Sequence, residues 1–137
     1  MIDLISSINE RFPKLYVKTK IKDDLRFTAE NNNGYIEYKR SIANCNSTKI
    51  IKYATQMKWR ASENKKSTAI YYLGVNDDGT IQGLTEDQIL PEITRFVEIV
   101  ESIQGSIATI RLIYVHQIIV IECTIRIKNL KMKFETI

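Results

Sequence analysis

One segment, residues 34–85, constrains the fold more than any other part of the chain, because three elements follow one another in it without a break. A strand predicted over residues 34–39 alternates apolar with polar side chains, as a half-buried strand does. The helix predicted over residues 47–63 has one apolar stripe at helical spacing. An Asp-Asp-Gly turn then joins strands predicted over residues 69–75 and 80–84 into a hairpin. The segment therefore predicts a sheet with a helix packed against it.

The flanking segments carry further periodic patterns. Apolar residues at helical spacing predict a short helix over residues 2–12, and alternation predicts a strand over residues 15–21. A capping box predicts the start of a second long helix within residues 85–105. The tail is strongly apolar over residues 107–115 and alternates over residues 119–128, which predicts two more strands.

In chain order these elements predict an α+β protein. Its main part is a β-α-β-β-α-β-β sandwich with helices on one face of the sheet, and an N-terminal helix and strand form an appendage. A polar loop that ends in three asparagines separates the two parts. We predict the appendage over residues 1–33 and a single α+β domain over residues 34–137. A chain of 137 residues suffices for one domain with a substantial core.

The composition of the chain narrows the possible partners and the cellular compartment. A net charge of +4 favours an anionic partner to a modest degree. The two cysteines have neither metal-ligand spacing nor a disulfide framework, which indicates a reducing, cytoplasmic compartment. No apolar run approaches the roughly 20 residues of a membrane span, so we expect no membrane contact. Abundant isoleucine, lysine and asparagine are typical of AT-rich coding, as in some parasites and large DNA viruses.

Common catalytic patterns are missing from the sequence. None of the five glycines begins a phosphate-binding loop motif, so we expect no nucleotide. The single histidine, His116, lies at a predicted turn without a positioned partner for acid–base catalysis. Neither Cys45 nor Cys123 has a histidine nearby that could activate it. The sequence therefore favours a non-enzymatic protein without a cofactor or a metal.

A basic cluster with interleaved aromatic residues is the most suggestive chemical feature. It begins at the end of the first strand of the main domain and continues along the helix that follows. Its members are Lys39, Arg40, Lys49, Lys52, Lys58, Trp59 and Arg60. Cations neutralise phosphates and aromatic rings stack on bases, a combination that suits RNA without strong sequence readout. A solvated helix face or a surface for a protein partner gives the same pattern, and both alternatives stay open.

Five short segments together resemble the amino-terminal domain of the GTP-binding protein 1 and 2 family. They are EYK (37–39), ATQMKWR (54–60), IYYLGV (70–75), DDG (77–79) and GLTE (83–86). These GTPases are relatives of the elongation factors that carry aminoacyl-tRNA. In that family the G domain begins shortly after the matching point, where this sequence stops. The resemblance, which extends over roughly residues 34–128, implies a fold and a setting in translation or RNA turnover, without GTPase activity.

A more distant resemblance is to Schlafen-type AlbA-like domains, some of which are metal-dependent RNA nucleases. It implies metal-binding roles for Glu37 and for Asp77 or Asp78. The family's companion acid, five residues before the strand glutamate, falls here on Asn32. A carboxylate cluster that lacks one member binds a divalent cation poorly. In the alternative interpretation, Glu37 pairs with a neighbouring base and the two aspartates shape the turn.

Three hypotheses follow. The first is a non-enzymatic module that binds RNA, the ribosome or a translation factor and contacts phosphates through Lys39, Arg40, Lys49, Lys52 and Arg60. The second is a structural or interaction protein, for example of a virus, whose isoleucine-rich terminal strands supply an edge for a homo-oligomer or a partner. The third is a Schlafen-like metal-dependent RNase.

Overall fold

A computed structural model describes residues 3–128, which form an α+β fold as predicted. It contains three helices and five strands. They are α1 (Leu4–Arg11), β1 (Val17–Ile21), β2 (Ile36–Lys39), α2 (Ser47–Ser62), β3 (Thr68–Leu73), α3 (Glu86–Ser102), β4 (Gly105–Val115) and β5 (Ile118–Ile127). No helix in this part of the chain is long and apolar enough to cross a membrane. The predictions that concern Ile2 and residues 129–137 lie outside the described residues.

The five strands form one mixed sheet in the order β1-β4-β5-β3-β2. β1 runs parallel to β4 and β2 runs parallel to β3, whereas β5 is antiparallel to both of its neighbours. The isoleucine-rich strands β4 and β5 are thus interior strands with a hydrogen-bonded partner on each side. The expectation that they supply a free edge is wrong, and the edges of the sheet are β1 and β2.

The return strand predicted over residues 80–84 is not a strand. Only two isolated bridges occur there, Val75 with Ile81 and Leu84 with Ile119. Gly74 and Gly83 have positive φ angles of 95° and 73°, so the backbone leaves the extended conformation at both ends of the turn. From β2 onward, the element order is therefore β-α-β-α-β-β in place of the predicted β-α-β-β-α-β-β.

The described part of the predicted appendage is built into the same sheet. Val17 to Ile21 pair in register with Ile110 to Tyr114 of β4. Ile8 of α1 is fully buried in the same core as the other two helices. Residues 3–33 therefore share the sheet and the core of the rest of the described chain.

All three helices cover one face of the sheet. The larger core contains Ile8 of α1, Met57 of α2 and Phe96 of α3, packed against inward residues of β3, β4 and β5. The second face has a smaller cluster around Tyr38 and Val120. Residues 22–33 cover this cluster, since Leu25 and Phe27 pack against it. The ring centres of Phe27 and Tyr72 are 4.7 Å apart. This loop carries Glu30 to the outer edge of β2.

Candidate functional site

The helix α2 begins at a strong cap and presents two different faces. Its N-cap is Asn46, whose side chain accepts a hydrogen bond from the Lys49 amide at 2.9 Å. Ala54, Met57, Arg60 and Ala61 form the buried face. The opposite face is solvent-exposed and carries Lys49, Lys52 and Trp59 of the predicted basic cluster.

Arg60 lies on the buried face, with 4% of its surface exposed. Its Nε and Nη2 atoms donate to one carboxylate oxygen of Glu37 at 2.9 and 2.7 Å, and its Nη1 donates to the Gly34 carbonyl at 3.0 Å. Hydrogen bonds between two charged groups are the strong ones, and breaking one inside a protein leaves a buried charge. Arg60 is therefore not available to a phosphate, and its predicted role in RNA contact is wrong.

Lys39 is also held by its neighbours. Its Nζ lies 3.0 Å from the second carboxylate oxygen of Glu37, donates to Gln56 at 3.0 Å, and lies 4.4 Å from the ring centre of Tyr53. Only 16% of its side chain is exposed. Both oxygens of Glu37 are thus engaged by cations, as the pairing interpretation of that residue predicted. Lys39 belongs with Arg60 to an ion network beneath the exposed surface.

Glu30 completes this network and was missed at the sequence level. One of its carboxylate oxygens accepts a hydrogen bond from the Tyr38 amide at 2.6 Å, and the other lies 3.9 Å from Nη2 of Arg60. Burial and the nearby Glu37 carboxylate raise the pKa of Glu30 above its ordinary value, against the lowering effect of the Tyr38 amide. The position of Glu30 depends on how residues 22–33 pack, and no local sequence pattern predicts this packing.

Tyr71 borders the network from the core side. It lies on β3 in register with Glu37, and its hydroxyl is buried without a hydrogen-bond partner among the described residues. Burial, followed by the charge of Glu37, raises the pKa of this hydroxyl well above its usual range. The hydroxyl of Tyr71 is therefore a buried polar group without a hydrogen bond, and its burial costs stability.

A second buried carboxylate fixes the loop between β2 and α2. Glu92 of α3 accepts hydrogen bonds from the backbone amides of Ile42 and Ala43, the former at 2.9 Å, and from the hydroxyl of Ser41. The apolar periodicity of the α3 sequence does not indicate that an acid is buried at this position. Its contacts tie the residues directly after Arg40 to α3 and so fix where α2 starts.

Five predicted residues remain at the surface, and we call them the α2 basic surface. Arg40, Lys49 and Lys52 are exposed, Lys58 is half-buried, and Trp59 is 41% exposed. Residues 38–62 contain four lysines, two arginines and no aspartate or glutamate. The exposed side of α2 therefore has cations without intervening acids to neutralise them.

Two further exposed lysines follow α2 in the chain. Lys65 and Lys66 are exposed in the connection between α2 and β3. They are not part of the predicted basic cluster, because they lie beyond the end of the predicted helix. Their adjacent positions, shortly after a basic helix, were the available signal. The chain thus presents two more positive charges beyond the last turn of α2, after the exposed Glu63.

The three carboxylates of the nuclease hypothesis do not come together as a metal site. Glu37 is engaged by Arg60 and Lys39. Asp78 accepts hydrogen bonds from the amide and hydroxyl of Thr80, which lower its pKa, and it shapes the turn as the alternative interpretation predicted. Within residues 3–128, no group of three or more histidine, cysteine or acidic side chains is arranged to hold a metal ion.

Comparison with known proteins identifies a related protein from a virus. The chain is 42% identical over 130 residues to uncharacterized protein R625 of Acanthamoeba polyphaga mimivirus, and the match covers 95% of this chain and 70% of that protein. The chain belongs to the family of this mimivirus protein. No family model matches the sequence.

A second similarity is to part of GTP-binding protein 2. Over 82 residues the chain is 32% identical to GTP-binding protein 2 of Mus musculus and of Homo sapiens, and this match covers 60% of the chain. It spans only 14% of either GTP-binding protein. The resemblance to a segment of GTP-binding protein 2 is thus confirmed in part, whereas the Schlafen-type resemblance finds no support in these comparisons.

Proposed function

We propose that this protein is a non-enzymatic RNA-binding module that acts through the α2 basic surface. The observation that carries the proposal is the division of the basic cluster. Arg60 and Lys39 are held inside by Glu37, while Arg40, Lys49 and Lys52 are exposed, with no acid between residues 38 and 62. Exposed lysines and arginines that face no carboxylate neutralise phosphates and release counterions when RNA binds.

Trp59 gives this surface a stacking platform. The guanidinium carbon of Arg60 lies 5.2 Å from the centre of the indole ring, and Arg60 itself is held by Glu37. The ring is therefore oriented before any ligand arrives and keeps one part exposed. Stacking of a base on an exposed aromatic ring contributes about 1–3 kcal/mol and depends little on sequence.

We further propose that the RNA belongs to the translation machinery. The partial similarity to GTP-binding protein 2 and the resemblance of that family to elongation factors support this assignment. Free Cys45 and Cys123 are consistent with a cytoplasmic location. Nuclease activity is not part of the proposal, because both carboxylate oxygens of Glu37 are engaged by cations.

Intrinsic fluorescence offers a direct test, because Trp59 is the single tryptophan of the chain. Titration with a short oligouridine is expected to quench the fluorescence as a base stacks on the ring. Inorganic polyphosphate is the matched control, since it carries the charges without the bases and is expected to bind with little quenching. Absence of oligouridine binding, or binding that leaves Trp59 unaffected, would overturn the proposed surface.

A further inference from the structure

The two edges of the sheet differ in a way that points to a second interaction site. At β2, the outward amide of Tyr38 donates to Glu30, so the chain's own loop covers this edge at Tyr38. At β1, the Tyr16 carbonyl accepts from Ile110 and the Lys22 amide donates to the Tyr114 carbonyl, so the even-numbered residues face β4. Backbone groups alternate in direction along a strand.

The outward groups of β1 are therefore those of Val17, Thr19 and Ile21. Within residues 3–128, no hydrogen-bond partner covers them, because β1 is the terminal strand of the sheet. Ile21 is 78% exposed. A row of unpaired amides and carbonyls beside an exposed apolar side chain is a template for an added strand.

A groove lies on the helix side of this edge. It has a volume of about 830 Å³, and its apolar lining includes Ile5, Ile21 and Tyr114. Two acids also line it, and both are engaged by their own neighbours. Asp3 accepts from the Ile5 amide at 3.3 Å, and Asp23 accepts from the His116 amide at 2.8 Å. Apolar side chains of an added strand would enter this groove at every second position.

Strand β1 also carries two positive charges. Lys18 and Lys20 alternate along the strand with Val17, Thr19 and Ile21, and Lys20 also lines the groove. The Nζ of Lys18 lies 5.1 Å from the ring centre of Tyr16, and neither lysine has an ion-pair partner among residues 3–128. Acidic side chains placed across from these lysines would be favoured, whereas like charges placed there would be repelled. A second copy of this chain that paired through β1 would place lysines against lysines, so the charges select a different partner.

We propose that the β1 edge binds an extended segment of another protein in which acidic residues alternate with apolar ones. The acidic residues pair with Lys18 and Lys20, the apolar residues fill the groove, and the backbone completes the ladder at Thr19. This site lies on the strand farthest from β2 in the sheet. It is a protein-binding activity in addition to the proposed RNA contact, and it does not depend on that proposal.

The test uses a synthetic peptide, Val-Glu-Ile-Asp-Val-Glu-Val with blocked ends, and amide NMR spectra of the full chain. The expected result is that the peptide shifts the amides of Val17, Thr19 and Ile21 and slows their hydrogen exchange. A control peptide with lysines in place of the acids is expected to bind about tenfold more weakly. Absence of binding at millimolar peptide, or shifts confined to other strands, would overturn the proposal.

Two variants separate backbone pairing from charge. Thr19→Pro removes an outward donor without breaking a bond to β4, and we expect binding to fall at least about tenfold with the fold retained. The double variant Lys18→Glu/Lys20→Glu is expected to prefer the lysine peptide, while the matched variant Lys49→Glu/Lys52→Glu keeps the original preference. Unchanged peptide preference in the β1 double variant would contradict the assignment, as would dimerisation of the free protein through β1.

Discussion

The two faces of α2 carry the same kind of charge and use it differently. On the buried face, Arg60 is surrounded by acceptors on Glu37 and Gly34. On the exposed face, Lys49 and Lys52 have no acid within the helix to pair with. The comparison teaches that a run of basic residues in a sequence is not one functional unit. Burial and the nearest carboxylate decide which cations hold the fold and which can meet a ligand.

The location of Glu37 explains the difference. On β2, the charged residues Glu37 and Lys39 face α2, while Tyr38 faces the smaller cluster beneath residues 22–33. A carboxylate that points into the helix layer needs a cation from that layer, because burying an unpaired charge is costly. Arg60 supplies this cation with two donors aimed at one oxygen of Glu37.

The largest expected effect comes from breaking the internal pair. Arg60→Met leaves Glu37 buried with one oxygen unpaired, and we expect the free energy of unfolding to fall by about 3–5 kcal/mol. Urea denaturation measures this loss. Lys49→Met on the exposed face is the matched control and should change stability by no more than about 0.5 kcal/mol. Equal losses of stability for the two substitutions would contradict the claim that only the buried face of α2 holds the fold together.

A smaller effect is expected from the pH dependence of Glu30. Its pKa is raised in the folded state, so ionisation of this group costs stability, and the cost develops as pH rises through the raised pKa. Glu30→Gln removes this titration and keeps an acceptor for the Tyr38 amide. The stability of the variant relative to the original protein should therefore increase from acid to neutral pH, as measured by urea midpoints. A relative stability that stays flat or decreases over this range would contradict the role of Glu30.

The smallest expected effect concerns the unpaired hydroxyl beside the network. Tyr71→Phe removes a buried polar atom without a partner, so the substitution should be neutral or stabilise the fold by up to about 1 kcal/mol. Thermal unfolding is a sufficient measurement. Tyr72→Phe is the control, because its hydroxyl donates to Glu122 at 2.8 Å and its loss should destabilise. Destabilisation by Tyr71→Phe would show that the hydroxyl contributes a bond to the network.

Local patterns predicted most elements but not their arrangement. The periodicity of α2 and α3 and the apolar runs of β4 and β5 are properties of neighbouring residues, so they are visible in sequence. The pairing of Val17 with Ile110 joins distant segments and leaves no local trace. Because of this pairing, the predicted appendage supplies the edge strand β1, and β4 and β5 are interior strands.

The same limit applied to the candidate site. The exposed lysines of α2 were recognisable from composition and helical spacing alone. The burial of Arg60 was not recognised, although its position next to Ala61 and three residues after Met57 lies within the apolar stripe. The role of Glu30 could not be predicted from the sequence, since its contact with the Tyr38 amide depends on how residues 22–33 fold over β2.

The salt dependence of RNA affinity tests the central claim most directly. Binding of a labelled oligouridine is measured at several salt concentrations for the original protein, for Lys49→Gln/Lys52→Gln and for Lys18→Gln/Lys20→Gln, which loses the same charge on β1. We predict that the α2 variant loses about 1.4 from the logarithmic salt slope, at about 0.7 for each phosphate contact, and that the β1 variant keeps the original slope. An equal loss in both variants, or no loss in either, would contradict the assignment of RNA contact to the α2 basic surface.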